Sequence, residues 1–396
     1  MNFPFPGQSQ IEHLYIHVPF CIRKCHYCAF ASQPLTHDDS KRYLAALSKE
    51  LFWAKKNLRP RTLFLGGGTP SCLDNGDLEK LFDLIQSIDL SQLQEFSIEI
   101  NPATITPEKA ALCRRAGVNR ISIGAQSLND KILRQLGRIH SAHQVSETVE
   151  LLRETGFTNL NLDIIFGIPG QTLSELEETL NTLLELKTPH LSCYELTFEP
   201  GTPMTLQMQK SGFEPDEDLL CSMYNLILAK LAEKGIHRYE ISNFARSGFE
   251  CAHNIAYWRG IDYYGAGPSA CSLIRGIRYA HPSLLSLYYN AVIPKQNKKL
   301  GLTSSSPAEN DFWEPDQISP LARAGEIAAI GLRMSRGWDF NEFYAHTGFR
   351  LEKQWAKALQ KLISRGDGEF FPGGFRLTDQ GLRFADLAAE EFIITE

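Results

Sequence analysis

A chain of 396 residues, 43% of them hydrophobic, can bury a large core and is long enough for two or three domains. Its formal charge of −6 argues against a dedicated nucleic-acid binder, although a local basic patch would survive that average. Nine cysteines, six of them scattered singly, do not make a disulfide framework and fit a reducing, cytoplasmic setting.

In chain order, residues 1–10 carry no basic stretch followed by an apolar run, so no signal peptide is expected. No window approaches the length of a spanning helix; peripheral membrane contact stays open. Short apolar runs rich in β-branched or aromatic residues then predict strands at 13–18, 62–66, 95–100, 120–124, 160–166 and 190–198. Segments of helical period between them predict helices at 40–56, 75–88, 107–116, 130–136, 142–155 and 173–186. Start signals stand at Asp74 or Asn75 and at Thr106-Pro107. Six β-then-α units imply a parallel sheet, and six rather than eight imply an incomplete (βα)6 barrel open on one side. In such barrels chemistry gathers at the carboxyl ends of the strands.

The unusual residues fall on that rim. Cys21-Ile22-Arg23-Lys24-Cys25-His26-Tyr27-Cys28 follows the first predicted strand. Four thiolates close a [4Fe–4S] cubane, one per iron; three leave one iron open to a small molecule. Structural zinc would want a fourth N or S ligand, for which His26 is the only adjacent candidate. Cysteines packed as small hydrophobes are the plainest alternative. Gly66-Gly67-Gly68-Thr69-Pro70 follows the second strand, either as a tight turn or as a place where backbone amides approach a ligand. Glu99 ends the third strand, Gln126 follows the fourth, and Asp163 lies in the fifth. Carboxylates buried there need partners, such as a ribose diol or an ammonium group. Gln126 and Arg138, taken alone, read equally well as a structural hydrogen-bonded pair.

The second half is less legible. A helix is expected at 215–234 and a strand at 237–244, with 265–269 as a loop that lacks the lysine and helix entry of a phosphate cradle. Residues 294–320 are polar and proline-bearing and read as a flexible crossing. Helices at 323–334 and 352–365, a hairpin at 370–378 and a last helix from Asp379 complete the chain. Helices followed by a small β-wing look like a winged-helix module. Basic residues are not concentrated on 352–365, so a mainly helical lid or packing domain over the barrel is expected. The expected division is 12–240 for the barrel, 241–316 for a connecting segment and 317–396 for the C-terminal domain.

These motifs resemble the radical S-adenosylmethionine (SAM) superfamily, marked by CxxxCxxC followed by a GGE- or GGT-like glycine run. Residues 15–21, 66–71, 97–99, 124–126 and 163–170 are similar to the oxygen-independent coproporphyrinogen III oxidase-like branch. The resemblance implies that Cys21, Cys25 and Cys28 hold the cluster and that its open iron takes the amino and carboxylate groups of SAM. Tyr15, Tyr27, Gly67, Gly68, Thr69, Glu99, Gln126, Arg138 and Asp163 match the residues around that cofactor. In the family an electron passed through the cluster cleaves SAM to methionine and a 5′-deoxyadenosyl radical.

Two features bear on function. The oxidases usually carry a further cysteine two positions after the third, as CxxxCxxCxC; here that position is Phe30. The departure, and His253-Asn254-Ile255-Ala256-Tyr257-Trp258 as an HNxxYW segment, resemble the HemW-type haem chaperones. The implied partners are haem-accepting proteins and a reductant protein, with no nucleic acid. The alternative is oxidative decarboxylation of coproporphyrinogen III. Histidine can ligate haem iron, and Tyr257 and Trp258 could pack on a porphyrin face, with Cys251 as an alternative thiolate. A buried, hydrogen-bonded imidazole is the plainer reading of His253.

Overall fold

The computed structural model describes residues 10–292, 314–316 and 318–394. Six parallel strands run in chain order across one sheet: Ile11–Val18, Leu58–Gly67, Glu95–Ile100, Arg120–Gln126, Asn159–Phe166 and His190–Glu195. Its two edges do not pair with each other, so the barrel is open. The alternation of side chains along each strand sorts the sequence into two layers. On the first strand Leu14, Ile16 and Val18 are fully buried in the apolar core beneath the outer helices. Tyr15 and His17 point the other way, into the barrel's cavity.

The helices that close the outer layer begin where local chemistry dictates. Thr36, Asp74, Thr106, Asn129, Ser141 and Thr172 each accept a first-turn backbone N–H as N-caps. Ser141 with Gln144, and Thr172 with Glu175, form reciprocal capping boxes. These fix the helices Ala142–Glu154 and Leu173–Glu185 within a residue of the periodicity's prediction. No helix among the described residues is long and apolar enough to cross a membrane.

Three elements differ from expectation. The sheet has a further parallel strand, Tyr264–Ala266, beside the first, where a loop was expected from residue 265. Gly265 serves close packing here rather than a turn, because a Cβ on it would lie 2.0 Å from Cys271 O. The strand expected at 237–244 is instead a tight antiparallel pair, His237–Arg238 with Asn243–Ala245, which caps the opposite edge. The helix expected at 352–365 breaks at Trp355, which leaves helical geometry and packs against Phe343 and Phe392.

From Ser319 onward a second apolar cluster forms around Trp338, Phe343, Trp355, Phe375 and Phe392. Helix Ala356–Ser364 precedes the hairpin Gly368–Phe371 and Gly374–Leu377, whose inner strand also pairs with Trp338–Asp339. This is the winged-helix-like arrangement. It is fastened to the barrel by Arg259 donating to Gly337 O at 2.8 Å and by Arg333 lying over the Trp258 ring. Most of the polar crossing at 294–320, and the domain boundary expected inside it, lie outside the described residues.

Candidate functional site

The carboxyl ends of the strands surround one large cavity of about 770 Å³. Lining it are Cys21, Cys25, Cys28, Tyr15, Tyr27, Gly67, Gly68, Thr69, Glu99, Gln126, Arg138, Asp163 and His253. The chain brings them together from five strands, their following loops and the helix Ala252–Trp258, across more than 200 residues of sequence.

The cysteine loop is held by groups other than its thiols. His26 donates its backbone N–H to Leu136 O at 3.0 Å and its ring Nδ1 to Gln135 O at 3.0 Å. Arg23 donates to Gly137 O at 2.9 Å and to Arg138 O at 3.1 Å. Gly137 has φ +75°, and a Cβ there would strike the His26 ring at 2.8 Å. Only glycine fits both demands. This clamp places Arg138 with its Nη1 3.3 Å from Cys25 Sγ, while Nη2 donates to Gly124 O at 2.6 Å. The guanidinium thus turns to the cysteine and the strand end rather than to Gln126. Burial pushes the Cys21 and Cys28 thiols up, so a cation beside the trio favours the thiolates a metal centre needs.

A tetrahedral zinc needs its thiolates about 3.8 Å apart. Among the described residues the only trio of ligand atoms lying within 4.8 Å of one another is His37, Asp74 and Asp77. The three cysteine sulfurs are thus not all within 4.8 Å of one another.

Opposite them the glycine run lies flat on the backbone that leads to Cys21. Gly68 N–H donates to Val18 O at 2.8 Å and Thr69 N–H to Phe20 O at 2.7 Å. A Cβ on Gly68 would stand 2.3 Å from Phe20 O, and one on Gly67, at φ +103°, 2.4 Å from the His17 ring. Gly67 N–H donates to Glu99 Oε2 at 3.1 Å, aiming that carboxylate into the cavity. Desolvation inside the barrel, reinforced by the negative Asp163, raises the Glu99 carboxyl to about 8 against the weaker help of Gly67 N–H. Asp163 is also raised by desolvation, although Ser122 Oγ at 2.8 Å and Asn161 Nδ2 at 2.7 Å donate to it. Tyr15 Oη donates to His17 Nδ1 at 3.1 Å, because His17 Nε2 donates to Ala31 O at 2.8 Å and fixes the tautomer. Gln126, at φ +64°, follows a register shift of the fourth strand at Ala125 and pairs with Ile164.

The helix Ala252–Trp258 carries the HNxxYW segment against the barrel floor. Glu95 accepts from Ala252 N–H at 2.9 Å, His253 N–H at 3.1 Å and Cys251 Sγ at 3.5 Å, so one carboxylate caps the whole helix start. The His253 ring bonds Thr62 Oγ1 at 2.7 Å and Tyr257 Oη at 3.0 Å and is 1% exposed. Burial lowers its imidazole to about 3. As a haem ligand it would have to give up one of those bonds. Burial likewise holds the Cys251 thiol near 12. Tyr257 lines the cavity, whereas Trp258 faces Arg333.

Sequence reading missed His17, Glu95 and the Gln135–Arg138 clamp. His17 falls in phase with the cavity-facing Tyr15, and Glu95 in phase with Glu99, on their strands, a signal that was available.

Residues 15–183 match the model described as Radical SAM superfamily, and residues 318–384 that described as HemN C-terminal domain. The chain is 35% identical over 379 residues to the protein named "Heme chaperone HemW" from Bacillus subtilis (strain 168), across 94% of this chain and 96% of that one. To the protein of the same name from Lactococcus lactis subsp. lactis (strain IL1403) it is 33% identical over 385 residues, covering 96% and 97%. Among solved structures, coproporphyrinogen III oxidase (HemN) from Escherichia coli matches with a TM-score of 0.80 and 23% identity, across 98% of this chain and 91% of that one. At that identity the likeness is one of fold.

Proposed function

The chain belongs to the radical SAM superfamily and, within it, to the family of the HemW haem chaperones, and from that premise we propose a protein that binds haem and hands it to recipient proteins. The observation that carries this is similarity to proteins of that name along nearly the whole chain; one cavity lined by the residues proposed to hold a cluster and a nucleotide supports it. The oxidase alternative rests on fold alone at 23% identity and lacks the fourth cysteine at Phe30.

Cys21, Cys25 and Cys28 would hold a [4Fe–4S] cluster, and Tyr15, Tyr27, Gly67, Gly68, Thr69, Glu99, Gln126 and Asp163 would hold SAM. Together the cluster and a reductant protein supply one-electron chemistry at the SAM sulfonium. The residues themselves bind and orient. Arg138 steadies the thiolates, Gly67–Thr69 lets the backbone approach closely, and Glu99 and Asp163 offer acceptors for a ribose diol and a cation.

Two outcomes follow for the nucleotide site. Gly68→Ala would push the glycine loop off Phe20, an overpacking that costs roughly 1–3 kcal/mol. SAM affinity, measured by anaerobic calorimetry, is then expected to fall about tenfold or more. Gly76→Ala, whose Cβ meets only Asp74 Oδ1 at 3.6 Å, should change nothing. The second outcome concerns pH. Glu99 is raised from 4.5 to about 8, so the empty fold keeps a proton that the unfolded chain releases, and apo stability falls as pH rises through that window. SAM needs the ionised acceptor, so its affinity should rise roughly tenfold between pH 7 and 9. Glu99→Gln should flatten that profile; an unchanged slope would remove Glu99 from the site.

The function is tested by titrating the anaerobically reconstituted protein with haem and following transfer to an apo-haem protein. Decarboxylated product from coproporphyrinogen III, with no haem uptake, would overturn it. His253→Ala in the same titration tests haem ligation by that ring.

A further inference from the structure

We propose that haem docks on the outer lip of the cysteine loop, its apolar face on Phe30 and Ile22 and a propionate on Lys24. This rests on the haem-chaperone reading and names the surface that reading leaves unassigned. Phe30 is 70% exposed, the highest value for a large apolar side chain among the described residues, and Ile22 is 53% exposed. Both line the cavity mouth beside the three thiols. The loop is clamped by Arg23 and His26 to the Gln135–Arg138 segment, and Phe30 O accepts from Lys24 Nζ at 3.1 Å and from Ser32 Oγ at 3.4 Å. The lip is therefore a preformed apolar surface that needs little ordering on binding.

The charge pattern selects the occupant. Lys24 spends one donor on Phe30 O and keeps two for a carboxylate. Arg23, by contrast, is taken up by Gly137 and Arg138 carbonyls. A flat apolar ring edged by carboxylates fits an aromatic, an aliphatic and a free ammonium standing together. The interior offers less: His253 is buried with both ring nitrogens engaged.

The test uses the cluster-loaded full chain and titrates haem into the wild type, I22S/F30S, K24E, F30L and H253A. I22S/F30S is expected to raise the haem Kd about tenfold or more, since it removes the apolar contact of two large side chains. Phe30→Leu, which keeps an apolar surface, should stay within about threefold of wild type. Lys24→Glu should weaken haem but not haem dimethyl ester, whose propionates carry no charge. His253→Ala should bind as wild type. Wild-type haem affinity in I22S/F30S, or loss of binding in H253A alone, would overturn the proposal. So would a double variant that binds haem normally yet fails to pass it on, which would make the lip a contact for the recipient protein. If the wild type binds no haem at all, it is the haem-chaperone reading that fails, a result distinguishable from all of these.

Discussion

Serine in place of Cys21, Cys25 or Cys28 is expected to leave anaerobically reconstituted protein with iron and sulfide at background. A cubane held at three corners has no protein ligand in reserve. Serine at any corner leaves two, and its hydroxyl does not ionise in the range where Arg138 assists a thiolate. The loop itself should persist, because its anchors are the backbone of His26, the His26 ring and Arg23, none of which uses a sulfur. The apo variants should therefore unfold within a few degrees of wild type. Cys221→Ser, outside the cavity, should keep a full complement of iron. Any loop variant that retains the cluster would contradict the assignment.

The largest effect on stability is expected at Glu50. Its carboxylate is completely buried and accepts from Tyr288 Oη at 2.6 Å, Tyr264 Oη at 2.8 Å, His281 Nε2 at 2.8 Å and Gly267 N–H at 3.0 Å. It thereby ties the helix His37–Ala54 to the edge strand Tyr264–Ala266 and the helix Leu285–Val292. Burial pushes the carboxyl up, but His281 and the two phenols outweigh it and hold it below its usual range. Glu50→Ala removes the shared acceptor of all four donors, and a broken buried network of this kind costs roughly 3–5 kcal/mol. Tyr264→Phe and Tyr288→Phe should each cost about 1 kcal/mol, measured by urea denaturation. A lowered carboxyl contributes stability that is present above its unfolded value and lost as pH falls through its folded one. The wild type should accordingly lose stability in acid faster than Glu50→Gln. A Glu50→Ala variant within about 1 kcal/mol of wild type would show that the network is dispensable.

The barrel was legible because each half of a β-then-α unit announces itself locally. Glu95–Ile100 matches the prediction residue for residue, and the helix starts at Asp74 and Thr106 lie where their caps put them. The elements that escaped are those defined by distant partners. Tyr264–Ala266 is three residues long with a glycine at its centre, and becomes a strand only because the first strand lies beside it. Trp355 breaks a well-patterned helix because Phe343 and Phe392 compete for its ring. At the site, residue types and their order were readable from the motifs. What holds them was not, since Glu95 and Thr62 reach His253 across 158 and 191 residues. Glu50 did leave a trace: it falls on the buried stripe of Tyr43, Leu47, Leu51 and Ala54, where an unpaired carboxylate would be too costly to stand.

The central claim is that three sulfurs of one loop hold a cube of iron and sulfide whose fourth corner is free for SAM. Mössbauer spectroscopy of the iron-57 protein, reconstituted anaerobically and measured with and without SAM, tests it most directly. The account predicts a [4Fe–4S] spectrum in which SAM shifts the signal of one iron and leaves the other three. A cubane that does not respond to SAM, or a protein that takes up zinc in preference to iron and sulfide, would contradict it.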